Sequence, residues 1–176
     1  MSSNVRRLIL ATVAAAIVSI AAAYLLFPVH SELGSLPGLA FWTVATLAAS
    51  ALPVRLPRGT VVSVAAAPMI AVMALGGPLA AAIVGVIGTT DTRELRGQVP
   101  WYGTLYNHAS AAIAIVVGGA AFEGVSALGP SNTPIVSFIA TLVGALLFFA
   151  VSWSLALAAV SARTGTSVRT VWAQDV

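Results

Sequence analysis

Residues 52–107 decide how the rest of the chain is read. They run L-P-V-R-L-P-R-G (52–59), an apolar stretch over 60–75, G-G-P (76–78), a second apolar stretch over 79–90, the polar loop D-T-R-E-L-R-G-Q-V (91–99) and P-W-Y-G-T-L-Y-N (100–107). Two apolar segments joined by one tight turn, with arginines at both outer ends, form a hairpin that enters a membrane and returns. The second segment is only twelve residues long. That is ~18 Å of helix, too little to cross ~30 Å of hydrocarbon alone. It must extend into 91–95, tilt, or sit in a thinned or protein-lined place. Short, glycine- or proline-interrupted membrane segments of this kind tend to lie beside binding sites.

Composition agrees with that solvent. Apolar residues make up 59% of the 176, charged residues 7%, and the mean hydropathy is +1.00. A water-soluble domain carries about 25% charged residues, so this chain could not cover its own surface in water. Its length suits one domain. The net charge of +3 comes from eight basic residues, all arginine. They stand in pairs between apolar runs, the pattern of topology signals and not of a nucleic-acid face. Cysteine is absent, which removes disulfides and thiolate metal sites.

Outward from the hairpin, six helices are expected, the two of the hairpin being the third and fourth. Residues 8–27 carry no charge and make ~30 Å of helix; a positive start and small residues at 21–23 also fit a signal peptide, although the run continues past the length of a signal core. Residues 38–53 form the second helix, with Phe41 and Trp42 as interfacial anchors. The third covers 60–75 and contains Pro68, the fourth 79–90. The fifth runs from Trp101-Tyr102 to about 122, and the sixth from 134 to about 161. Residues 1–162 are thus one transmembrane domain, and 163–176 an amphipathic juxtamembrane segment on the cytoplasmic surface.

With six passes, the N-terminus, the 53–59 turn, the 91–99 loop and the C-terminus share one side. Those places hold Arg6 and Arg7, Arg55 and Arg58, Arg93 and Arg96, Arg163 and Arg169, which are all eight arginines. A random split this uneven arises on the order of once in a hundred, and the positive-inside rule then places both termini in the cytoplasm of an inner-membrane protein.

Asn107 and His108 sit about two turns into the fifth helix, where polar side chains face the bundle interior or a wet cavity. They are candidate ligand contacts, together with Thr104 one turn earlier; equally, they can hydrogen-bond a neighbouring helix and fix packing. Pro68, Gly77 and Gly85 complete the candidate site within the hairpin. Asp91, Arg93, Glu94 and Arg96 read as a solvated loop whose charges pair locally, or Asp91 caps the short fourth helix and faces a cavity. Arg55, Arg58, Arg93, Arg96, Trp101 and Tyr102 mark the membrane interface. Small residues recur every fourth position at Ala11, Ala15, Ser19 and Ala23, and at Gly77, Ala81, Gly85 and Thr89, rows that permit close helix packing within the bundle or against a partner subunit. No metal-ligand spacing, nucleotide fingerprint or nucleophile motif is present. Five acidic residues leave little for acid–base work, so the expected function is non-enzymatic and without cofactor.

The motifs at 52–59, V-S at 62–63, G-P at 77–78 followed by A-A-A-I-V-G-V-I-G, P-W-Y at 100–102 and L-Y-N at 105–107 resemble a bacterial membrane module. It precedes HD-GYP-type cyclic-di-GMP phosphodiesterase or GGDEF-type diguanylate cyclase domains. The resemblance covers roughly residues 38–125; Arg55, Arg58, Ser63, Gly77, Pro78 and Asn107 match, whereas His108 stands where a small residue is expected. It implies a sensory input module whose last helix signals to a cytoplasmic output domain, lying beyond Val176 or on a partner. The G-P turn and the small-residue run after it are also similar to the substrate-binding subunits of energy-coupling-factor vitamin transporters, which have six helices and dock through small residues of the first helix. The vitamin-binding loops of that family have no counterpart here. The expected partners are the bilayer, a small apolar or amphipathic ligand, and an output domain or membrane subunit.

Overall fold

The computed structural model describes residues 2–27, 35–52, 54–55, 61–62, 64–130 and 133–175. It is a helical membrane-type bundle, with, among the described residues, four helices long and apolar enough to cross a bilayer and a shorter apolar fifth. Helix α1 (Ser3–Leu26) starts where the Ser2 hydroxyl accepts from the Val5 amide at 3.4 Å. Helix α2 (Leu36–Ala51) starts in the same way, at Ser35 with Gly38. Side-chain oxygens satisfy first-turn amides that have no helical partner.

Between α2 and the hairpin the chain forms a small antiparallel ladder, β1 (Val54–Arg55) with β2 (Val61–Val62), Val54 opposite Val62. This corrects the expectation of a helix from residue 60. β-branched valines favour the extended pairing, and α3 (Ala66–Gly88) begins only at Ala66. Arg58, Ser63 and the Arg55 side chain lie outside the described residues.

Helix α3 is long enough in sequence to span, yet it is not one straight rod. Gly77 has φ 81° and ψ 177°, backbone that only glycine adopts cheaply. The side chain of Met69 lies 3.4 Å from where a Cβ on Gly85 would stand. Sixteen residues of continuous helix would separate these positions by ~24 Å, so the chain folds back at Gly77. Residues 66–76 and 78–88 are two half-helices, each ~16 Å long, with Pro78 opening the second where its missing N–H is harmless. Pro68, in the first turn of the first half, is equally harmless.

Helix α5 (Trp101–Ser126) is the central post, with α1, α3 and α6 (Pro134–Thr164) against it and α2 against α3. Contacts are close because the residues are small. A Cβ on Gly118 would stand 2.6 Å from the Gly144 carbonyl of α6, and one on Gly119 would stand 2.8 Å from Pro78 at the hairpin tip. At the hairpin mouth the Ser50 hydroxyl donates to the Gly88 carbonyl at 2.7 Å. Large apolar side chains point outward instead, among them Leu10, Ile17, Phe41, Phe138, Leu146 and Phe149. Over the most apolar window, 56% of α3 is buried but only 17% of α6. Small inside and large outside is the arrangement lipid permits, since lipid gives no hydrophobic penalty for exposure.

The row Gly77, Ala81 and Gly85 is buried within the bundle. The row on α1 is divided: Ala11 and Ala15 are exposed, Ser19 is half-buried and Ala23 is buried together with Ile9, Thr12 and Ala16. Helix α6 ends at Gly165 in the left-handed conformation (φ 71°), and α7 (Val168–Asp175) follows.

Candidate functional site

The 89–99 loop is built by one carboxylate. Asp91 Oδ1 accepts from the amides of Arg93 (2.6 Å) and Glu94 (3.0 Å), which nucleates the short turn α4 (Thr92–Leu95). Its Oδ2 takes Arg93 Nε at 2.9 Å and Nη2 at 2.6 Å. Partial burial opposes ionisation of Asp91, but these hydrogen bonds outweigh it and hold the carboxyl below its ordinary range. The expected local pairing of loop charges is therefore found for Asp91 and Arg93, whereas Arg96 is exposed.

Glu94 behaves differently. The turn lays its side chain, 5% exposed, against α5. Its Oε2 lies 3.0 Å from His108 Nε2, and its Oε1 accepts from Asn107 Nδ2 at 3.2 Å. The other ring nitrogen of His108, Nδ1, faces the Val86 carbonyl and stands 3.3 Å from Thr89 Oγ1. The Thr89 hydroxyl spends its proton on the Gly85 carbonyl at 2.7 Å, so toward the ring it can only accept. A carbonyl, a committed hydroxyl and a carboxylate thus surround one imidazole with acceptors. Nδ1 must carry a proton, and the Nε2–Glu94 contact requires one more, held by either partner. The result is an imidazolium–carboxylate pair or its neutral tautomeric equivalent.

The cluster pins three segments together: the end of the hairpin (Val86 and Thr89), the turn α4 (Glu94) and α5 (Asn107 and His108). Of the residues expected at the site, Asn107 and His108 are in it, and Thr104 lies half-buried one turn before. Gly85 reaches it only through its carbonyl, while Pro68 and Gly77 lie elsewhere in the hairpin. Glu94 was missed by sequence reasoning. It sits among alternating charges that look solvated, yet Asp91 and Arg93 satisfy each other, which leaves Glu94 as the acceptor for Asn107 and the half-buried His108.

Asn107 also borders a cavity of about 280 Å³ at the arginine-bearing end of the bundle. Leu8 and Ile9 of α1, Tyr102 and Tyr106 of α5, and Ala159 and Ala162 of α6 wall it, and Arg93 and Arg163 stand at it. The Tyr106 hydroxyl donates to the Leu155 carbonyl at 2.7 Å and fixes the α5–α6 wall. Trp101 projects outward, edge-on to Tyr102 with ring centroids 5.9 Å apart. Among the described residues no group of three metal-ligating side chains converges. No protein-family model, curated protein or solved structure matches the chain.

Proposed function

We propose that this chain is a non-enzymatic sensory and ligand-binding module of the inner membrane, which relays a change in helix packing to a cytoplasmic output domain or partner. The observation that carries the proposal is the Glu94–His108 pair, a polar lock between the folded-back hairpin and the central helix. A structural bundle has no need of a buried acid on an otherwise exposed loop, since such pairs offer little net stability. Polar groups at this depth more often serve function. The cavity beside the lock has walls from α1, α5 and α6, so an occupant touches both the lock, through Asn107, and the end of α6 that leads into α7.

In this reading both termini are cytoplasmic. The hairpin enters and returns on the arginine side, so the chain still crosses an even number of times, whether its halves count as passes or as one re-entrant element. An occupant changes the output only through a different affinity for locked and unlocked packings.

The absence of cysteine makes the test direct. Spin labels on Gln98 and Thr166, in nanodiscs, report the distance between the loop and the end of α6. Glu94→Ala is expected to broaden or shift that distance while the protein remains folded. An unchanged distance alongside a loss of folded yield would mean that the pair only packs. One observation favours a second reading: the outward Ala11 and Ala15 suit a helix of a membrane partner, as in a solute-binding transporter subunit. Co-purification of a membrane protein lost on Ala11→Leu and Ala15→Leu would support it.

A further inference from the structure

Three features of the cavity agree on one kind of occupant. Its lining is apolar at Leu8, Ile9, Ala159 and Ala162, and the exposed residues Arg93 and Arg163 also line it. Asp91 balances the charge of Arg93, but Arg163 forms no ion pair with a described side chain. Pro100 and Gly103 also line the cavity, and they belong to the start of α5, which no side chain caps. A 26-residue helix thus brings the positive end of its dipole to the same place. The volume of about 280 Å³ is at the lower edge of ordinary small-ligand sites.

We infer that this cavity binds a phosphate-headed, single-tailed amphiphile, the phosphate between Arg163, Arg93 and the start of α5 and the tail along Leu8, Ile9 and Ala162. Arg163 supplies a charge that no described side chain balances and a planar donor fork that fits phosphate oxygens. Arg93 adds its remaining donors without leaving Asp91. The phosphate comes from an anionic lipid of the surrounding leaflet or from a soluble phosphate monoester. The inference rests on the sensor reading in one respect only, that occupancy is the signal.

The test uses the full chain in nanodiscs of neutral phosphatidylcholine, with octyl phosphate as probe and the melting temperature as readout. Saturable stabilisation is expected, with Arg163→Gln weakening half-saturation about tenfold, the loss of one charge-assisted contact. Ala162→Phe, which fills the cavity, abolishes it. Arg169→Gln, a basic residue of α7 that does not line the cavity, leaves it unchanged. A second arm replaces part of the neutral lipid with phosphatidylglycerol: loss of the octyl phosphate response there identifies the lipid headgroup as the natural occupant, and retention identifies a soluble ligand. Equal effects of Arg163→Gln and Arg169→Gln would overturn the site, because binding would then be general surface attraction. So would binding that survives Ala162→Phe. Saturable binding with an unmoved Gln98–Thr166 distance would keep the site and defeat the sensor reading.

Discussion

Replacing Glu94 by alanine and by glutamine separates charge from hydrogen bonding in the lock. Alanine leaves His108 Nε2 and the Asn107 amide without their acceptor. Each buried donor left unsatisfied costs about 1–3 kcal/mol. Asn107 is exposed and His108 is 17% exposed at its side chain, so water recovers part of this, and the expected loss is about 2 kcal/mol. Glutamine can satisfy every partner: its oxygen accepts from Asn107, its amide donates to Nε2, and Nδ1–H still faces the Val86 carbonyl. Its expected cost is below about 1 kcal/mol, that of a neutral hydrogen bond replacing a charge-assisted one. His108→Ala strands the Val86 carbonyl and should cost about 1–3 kcal/mol. Because both single alanine variants break the same contact, the double variant should be less damaging than their sum by about 1–2 kcal/mol. Reversible unfolding in mixed micelles measures all four. Additivity within about 0.5 kcal/mol would refute the pair as a coupled unit.

Further outcomes follow from individual contacts. Gly118→Ala drives a methyl into the Gly144 backbone of α6 and should cost about 1–3 kcal/mol; Gly124→Ala, with nothing within 4 Å, should be neutral or stabilising by up to about 1 kcal/mol in the same unfolding assay. Gly77→Ala forces a side chain into φ 81° and should cost about 1–3 kcal/mol, with proteolysis within 66–88 rising as the tip loosens. The depressed carboxyl of Asp91 contributes stability above its unfolded pKa, and that contribution is lost as pH falls through the lower folded value. The protection of the Arg93 and Glu94 amides, corrected for intrinsic exchange, should therefore fall below about pH 4, and in Asp91→Ala, which removes their acceptor, it should be absent at every pH. Single cysteines at Arg7, Arg96 and Arg169 should all be labelled from the cytoplasmic side, and labelling of Arg96 from outside would defeat the proposed threading.

The parts of the fold that local chemistry controls are legible in the chain. An apolar composition names lipid as the solvent, and Gly77-Pro78 marks the reversal because glycine supplies the positive φ and proline is tolerated in the first turn that follows. What depends on contacts distant in sequence is less visible. Residues 60–65 look like the start of an apolar helix until Val61 and Val62 pair with the strand six or more residues before them. The α1 row at Ala11 and Ala15 suggests an interface, yet its orientation is set by where Ile9 and Thr12 meet the bundle. Glu94 shows the same limit, being matched to donors thirteen and fourteen residues further on.

The hairpin explains why the lock is placed at its base. Two half-helices that turn inside a bundle expose non-helical backbone at depth, tolerated only where protein covers it. Here the cover is Gly119, which lets Pro78 lie directly against the central helix. That contact is made of glycine and proline and offers no directional bond to resist sliding along α5. The other end must supply the resistance, and at that end the Val86 carbonyl and Thr89 are held through His108 to Glu94. Directional hydrogen bonds fix a register that small apolar surfaces leave free. Loss of the lock should therefore shift the hairpin along α5 before it unfolds anything, and crosslinking between cysteines at Gly85 and Ile115, neighbours across that interface, should fall in Glu94→Ala while the folded yield is unchanged.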